Sequence, residues 1–374
     1  MRTVAFYITD LGYGHASRQI AVIQEIMHCT DWRVVVCANY GAGLLIQALK
    51  KEIFKGRVIV RTNGVNDIGF ISQKEGMDVD VHATLETVER FVESLNAWVK
   101  AEKEWCVNEG IDIIVSDIVP WAFRVAKELT VPSVGISNFD WHSMYKNIFP
   151  EGLAKKRVLK AIEECHKTAT ITFQLPFSLP LETFNQIQQA PLLSRTPNWE
   201  KVFSIREKID LGRTIAYFSI GKSFSSTVEE ALLQQLHHFL NQTEKIELIL
   251  SKSMQEKSGL GIAIPKEEPE PQNYLAAADL AIIKAGYSTV AEAITAKVPM
   301  VVIYRPDVVE DTVIAREVEN LGIGRIIPYH KNGFDLTQVD LKAIRKLRKN
   351  FGSLPERYTG NGAQYLARQL QQWL

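Results

Sequence analysis

Neither sign of charge is in excess: Lys plus Arg and Asp plus Glu each number 43 across 374 residues, a formal net charge of zero. Such a chain has no overall attraction for a polyphosphate, so nucleic acid is not an expected partner and any basic patch must be local. Cysteine is scarce. The four present (Cys29, Cys37, Cys106, Cys165) have no C-x-x-C spacing, which argues against a metal knuckle and fits free thiols in a reducing compartment. No run reaches the about 18 apolar residues of a spanning helix. The N-terminus enters a strand-like run, Thr3 to Thr9, with no apolar stretch of signal length and no small-residue cleavage site. A cytoplasmic location is therefore expected. Low-complexity tracts and short-period repeats are also missing.

What is present is alternation. Short apolar runs at Thr3 to Thr9, Arg33 to Ala38, Arg57 to Arg61, Ile111 to Ser116, Ser133 to Ser137 and Ala169 to Phe173 alternate with helical patterns, which predicts a parallel sheet covered by helices on both faces. Leu85, Val88, Phe91, Leu95, Trp98 and Val99 recur at helical spacing, predicting one long helix over residues 83–106 with Trp98 in the core. From Leu175 to Arg213 four prolines and polar residues read as a linker. A second series follows: Thr214 to Ile220, Ile246 to Leu250, Asp279 to Ile283, Pro299 to Tyr304 and Gly324 to Ile327, with a proline-rich loop at 265–271. The expected organisation is α/β: two Rossmann-like domains, 1–195 and 206–355, facing across a cleft. A final amphipathic helix within 356–374, striped by Ala363, Leu366, Leu370 and Leu374, should cross back to the first domain.

Two turns carry chemistry. Strand Thr3 to Thr9 runs into Gly12-Tyr-Gly14-His15-Ala-Ser-Arg18 and then an apolar-periodic helix. The third glycine of a dinucleotide fingerprint is absent, so a dinucleotide site is disfavoured. A positive helix end disfavours the imidazolium, so His15 reads either as a neutral base or as a simple cap. Asp117 follows the apolar run Ile113 to Ser116 and stands at the carboxyl edge, where open α/β sheets collect ligands. It reads as the partner of His15, orienting the imidazole, or as a cap for the helical pattern after Pro120. Asn138, Asp140 and Trp141 end the next strand and face the same edge as candidate acceptor contacts.

The second turn is Lys284-Ala-Gly286-Tyr287-Ser288-Thr289-Val-Ala-Glu292. A small-residue turn at a helix start presents N–H groups to a diphosphate; Ser288 or Thr289 should cap the helix, and Glu292, one turn in, can reach a ribose. Gly221-Lys222-Ser223 has the tail of a phosphate-binding loop, but Ala216 stands where that loop needs a glycine. Gly221 and Lys222 are kept as helpers at the diphosphate. Glu310 and Asp311 either answer a helix dipole or accept hydrogen bonds from sugar hydroxyls. The basic run Lys155-Lys-Arg157-Val-Leu-Lys160, beside Ile148, Phe149 and Leu153, is a solvated helix face or a weak contact for an anionic membrane surface.

With these residues in view, the chain resembles glycosyltransferases of the two-Rossmann-domain GT-B architecture over nearly its whole length. The segment Asp279 to Ala293 with Lys297 to Tyr304 is similar to the nucleotide-sugar signature of the lipid II-forming, glucuronosyl and plant flavonoid transferases. Gly12 to Arg18, Val115 to Pro120 and Ser137 to Trp141 more narrowly resemble the glycosyltransferase-like region of plant arabinokinases. The resemblance implies that Glu292 binds ribose, Gly286 to Thr289 hold the diphosphate, Glu310 and Asp311 contact the donor sugar, and His15 is the base oriented by Asp117. Gly14, Asn138, Asp140 and Trp141 would then line the acceptor site. The Glu-Asp pair departs from the usual Asp-Gln or Gln-Gln, which leaves the sugar open. The expected activity is inverting, metal-independent hexosyl transfer from a nucleotide sugar, with UDP favoured, to a hydroxyl on a small molecule, glycan or lipid. The nucleotide sugar is a co-substrate and no cofactor is expected. The rivals are a nucleotide-sugar 2-epimerase of the same fold and a non-catalytic nucleotide-sugar-binding module.

Overall fold

The computed structural model describes residues 1–62, 64–71, 79–209, 212–220, 235, 246–329, 335–336 and 339–373. The chain divides into two compact units, one running up to Leu193 and resuming at Gly360, the other spanning Ser194–Thr359.

In the first unit, β1 (Thr3–Ile8), β2 (Arg33–Cys37), β3 (Val58–Arg61), β4 (Ile113–Asp117), β5 (Ser133–Ser137), β6 (Ile171–Gln174) and β7 (Ile187–Gln189) form one parallel sheet in the order β3-β2-β1-β4-β5-β6-β7. Every residue of β1, β4 and β5 is buried, the continuous apolar signature of central strands covered on both faces. Strand order reverses between β1 and β4, and a crevice opens at such a switch point. The register aligns Ile8 with Asp117, and the Thr9 amide donates to the Asp117 carbonyl at 3.1 Å. Whatever follows β1 and β4 therefore meets at one edge.

The long helix is longer than its apolar spacing predicts. It runs Val81–Glu109, because the Asp80 carboxylate accepts from the Ala83 amide at one end and Gly110 (φ 65) closes the other. Trp98 is only half-buried, its Nε1 donating to the Val65 carbonyl at 3.0 Å. The last helix, Gly362–Gln371, belongs to the first unit. It packs on the first helix, Tyr13–Cys29, with Leu366 and Leu370 fully buried. Gly362 is required there: a Cβ would lie 2.6 Å from the carbonyl oxygens of both Pro191 and Leu192.

The second unit repeats the plan. β8 (Thr214–Ser219), β9 (Ile246–Ser251), β10 (Ile262–Ile264), β11 (Leu280–Lys284), β12 (Met300–Tyr304) and β13 (Gly324–Pro328) are parallel in the order β10-β9-β8-β11-β12-β13. Two strands escape the apolar pattern. β7 lies inside the expected linker, its residues Ile-Gln-Gln all exposed, and β10 has only three half-buried residues. Both are edge strands, joined by backbone hydrogen bonds that need no alternating side chains. The same stretch also contains a helix, Trp199–Glu207, capped by Asn198.

Replacing Leu366 with Ala should cost about 2–5 kcal/mol, the usual range for a fully buried leucine, read as a lower urea midpoint. An unchanged midpoint would mean that the last helix is not part of the first core.

Candidate active site

His15 sits two residues inside the first helix, whose N-cap is Gly12 at φ 89, ψ −178, a conformation open to glycine. The N-cap is a glycine with no side-chain cap hydrogen bond, so the simple capping role for His15 is dropped. The His15 ring is buried and meets Phe139 edge-on at 5.8 Å. Its Nδ1 lies 2.8 Å from Asp117 Oδ1. Asp117 likewise is no cap, since the helix that follows, Trp121–Leu129, begins at Pro120 with no side-chain cap. Ile118 turns the chain away at φ 70, a left-handed conformation that a β-branched residue adopts only when its surroundings impose it.

Asp117 has no solvent exposure and four donors. Besides His15, Arg18 donates Nε to Oδ2 at 2.7 Å and a terminal nitrogen to Oδ1 at 2.5 Å, while Gln19 Nε2 donates to Oδ2 at 2.6 Å. The remaining Arg18 nitrogen donates to Asn138 Oδ1 at 2.6 Å. Burial alone would push the Asp117 carboxyl up; the Arg18 and His15 charges and hydrogen bonds outweigh it and bring it down to about 2. The Arg18 and Gln19 contacts escaped sequence reasoning, although Arg18 ends the motif that carries His15.

The other acceptor-side residues reach the same edge with internal partners. Gly14 lies in the first turn of the first helix. Asp140 caps the helix Trp141–Ile148, accepting from the Ser143 amide at 2.8 Å and the Ser143 hydroxyl at 3.0 Å. Burial raises its carboxyl above the ordinary range. Trp141 is almost wholly buried, stacks on Tyr145 at 5.1 Å, and donates Nε1 to Asp67 Oδ2 at 2.8 Å. Asp67 is a buried carboxyl that sequence reasoning missed, raised by burial. No periodic pattern surrounds it.

In the second unit, Gly286 is the N-cap of the helix Tyr287–Thr295, with no side-chain cap. The expectation that Ser288 or Thr289 caps this helix is therefore corrected. Both lie inside its first turn, because the Val290 amide donates to the Gly286 carbonyl at 3.1 Å and the helix starts two to three residues before those positions would place it. Lys284 ends β11 at this edge; burial and then the Arg305 charge lower its ammonium, with Asp311 and Glu310 acting against them. Glu292 is buried in an ion pair with Arg195, whose Nε and terminal nitrogen both lie 2.9 Å from Oε1. The third Arg195 nitrogen donates to the Pro269 carbonyl at 2.7 Å. Arg195 stands 97 residues from Glu292, too far for any motif to reveal. Glu310 and Asp311 occupy the first turn of the helix Val309–Asn320. Asp311 accepts from the Arg305 amide at 3.2 Å, Nε at 2.7 Å and a terminal nitrogen at 2.9 Å. Gly221 and Lys222 lie outside the described residues.

The basic run at 155–160 lies on the helix Leu153–His166 and is largely paired: Lys155 with Glu151, Arg157 with Glu89 and Glu93, Lys160 with Glu164. Among the described residues no helix is long and apolar enough to cross a membrane.

Residues 223–363 match the C-terminal domain of glycosyltransferase family 28. L-arabinokinase of Arabidopsis thaliana is 27% identical over 309 residues, covering 80% of this chain; the chain spans 28% of the length of that relative. Among solved structures, UGT2 of Phytolacca americana, complexed with UDP-2-fluoro-glucose and pterostilbene, aligns over 100% of both chains with a TM-score of 0.66 at 11% identity. SnogD of Streptomyces nogalater, a glycosyltransferase, aligns over 100% of this chain and 99% of its own with a TM-score of 0.63 at 16% identity. The two sheets are those of the GT-B fold. The family 28 match covers residues 223–363, most of the second unit.

The Asp117 carboxyl titrates lower in the folded chain, about 2, than its ordinary value of 3.8, so the stability it contributes is present above about pH 4 and fades as pH falls toward 2. Asp117→Asn should cost about 3–5 kcal/mol at neutral pH by leaving Arg18 buried without its anion. Urea unfolding of parent and variant should show that gap narrowing between pH 4 and 2. A constant gap would refute the ionised pair.

Proposed function

We propose that the protein is an inverting, metal-independent glycosyltransferase that moves a sugar from a nucleoside diphosphate sugar, UDP favoured, to a hydroxyl acceptor, with His15 as general base. The observation that carries this reading is the 2.8 Å contact between His15 Nδ1 and Asp117 Oδ1 at the switch point of the first sheet. With Nδ1–H donating to the carboxylate, Nε2 is the acceptor nitrogen, the tautomer a base needs. Nε2 takes the acceptor hydroxyl proton as the oxygen attacks the anomeric carbon. The bond from that carbon to the diphosphate oxygen breaks on the opposite face, so the configuration inverts. Asp117 stabilises the imidazolium that results.

The donor belongs on the second unit. The helix Tyr287–Thr295 follows β11 with a glycine, Gly286, as N-cap, so its positive end suits a leaving diphosphate in place of a cation. Glu292 receives the ribose hydroxyls, and Glu310 and Asp311 stand at the first turn of the helix after β12 for the sugar. The nucleotide sugar is the co-substrate. Neighbours such as UGT2, solved with a UDP sugar and pterostilbene, and an anthocyanidin 3-O-glucosyltransferase, solved with UDP, support a uridine donor and a small-molecule acceptor. Four free thiols support a cytosolic setting.

Release of UDP from a panel of UDP sugars, with and without hydroxyl acceptors, tests the reading. Release that depends on acceptor supports transfer. Epimerised donor without release indicates an epimerase, and binding without turnover indicates a regulatory module. His15→Ala should retain donor affinity and lose about 10²- to 10⁴-fold in turnover; more than half the parental rate would overturn the base assignment. Glu292→Gln should weaken UDP binding by about 1.5–3 kcal/mol, the worth of a charge-assisted hydrogen bond, with little change in kcat. Calorimetry showing parental affinity would remove Glu292 from the nucleotide site.

A further inference from the structure

We infer that Arg18 is a positioning residue for catalysis, acting through Asp117 on His15, and that Asn138 serves as the anchor of Arg18 rather than as an acceptor contact; this rests on the proposed role of His15 as base. Asp117 Oδ1 accepts from His15 Nδ1 at 2.8 Å and from Arg18 at 2.5 Å, and Oδ2 accepts from Arg18 Nε at 2.7 Å and Gln19 Nε2 at 2.6 Å. A carboxylate offers about four lone-pair sites, and all four are taken. Two of them belong to a single planar fork, and a bidentate guanidinium fixes the plane of the carboxylate as well as its position. The aim of Oδ1 at the imidazole is thus set by Arg18.

The guanidinium is itself held. It is 1% exposed, and its third nitrogen donates to Asn138 Oδ1 at 2.6 Å. Asn138 follows β5, while Asp117 ends β4. Its own carbonyl accepts from the Leu179 amide at 2.9 Å, so the anchor is fixed at its backbone as well as its side chain. Arg18 therefore ties the first helix to the carboxyl ends of two neighbouring strands. His15 is carried three residues earlier on that helix, so base, orienting carboxylate and fork share one rigid frame. Gln19 repeats the contact to Oδ2 but cannot define the carboxylate plane, because it offers a single nitrogen. Lys at position 18 would keep the positive charge and lose the fork.

A residue that only supports the fold lowers activity whether or not the base is present. A residue that works through the base does so only when the base is there. The test is a double-mutant cycle of Arg18→Lys and His15→Ala, read by acceptor-dependent nucleotide release, with UDP affinity measured in parallel by calorimetry. Arg18→Lys alone should lower kcat by about tenfold to 10²-fold, the cost of misplacing a catalytic group by about 1 Å, and leave UDP affinity unchanged. In the His15→Ala background the same substitution should cost less than twofold. Equal losses in both backgrounds would overturn the inference while leaving His15 as base. Parental turnover in His15→Ala alone would instead overturn the reading on which it rests. Should Arg18→Lys not fold, Asn138→Ala removes the anchor and leaves the buried ion pair. It should lower kcat severalfold with His15 present and be silent without it, and a loss of the same size in both backgrounds refutes the proposal.

Discussion

A carboxylate removed from water must be compensated by charge and hydrogen bonds or give up its ionisation. Asp117 is compensated: Arg18, His15 and Gln19 converge on it, and its carboxyl is held near 2 although burial works the other way. Much of the first unit is arranged around that pairing. His15 and Arg18, three residues apart on the first helix, lie within one turn of each other. Ile118 takes a left-handed backbone to turn the chain away from the carboxylate, and Ser116 Oγ braces that turn by donating to the Val119 carbonyl at 2.6 Å. Asn138 completes the frame from the neighbouring strand.

The second unit follows the same rule at its own edge. Glu292 is buried against Arg195, and Asp311 against Arg305. In each case a carboxylate on the first turns of a helix after a central strand is opposed by a guanidinium, so the charge does not have to be carried by the helix end alone. Both helices that start at these edges have a glycine as N-cap, Gly12 and Gly286.

Apolar periodicity made the central strands legible: Ser133–Ser137 falls where the pattern puts it, and β1, β4, β11 and β12 differ from it by a residue or two. These strands are buried on both faces, and burial on both faces leaves a continuous apolar run. β7 and β10 left no such trace because they sit at sheet edges and are held by backbone groups common to all residues. The cap of the second turn was misread for a related reason. Ser288 and Thr289 have the chemistry of caps, but the first helical hydrogen bond runs from the Val290 amide to the Gly286 carbonyl, so the helix begins before them.

By itself the sequence determined the class of fold, the two glycine turns, and the placing of His15, Asp117 and Glu292 at strand ends or helix starts, since each follows from local pattern and from the known edge of a parallel sheet. Tertiary structure alone decided which of these groups touch. Asp117 meets Arg18 across 99 positions and Glu292 meets Arg195 across 97, pairings set by sheet order and register rather than by any spacing along the chain. It also turned Asn138 and Asp140 inward, one to an arginine and one to a helix cap. A side chain's chemistry is written in its identity, but its partner is chosen by the elements that packing brings beside it.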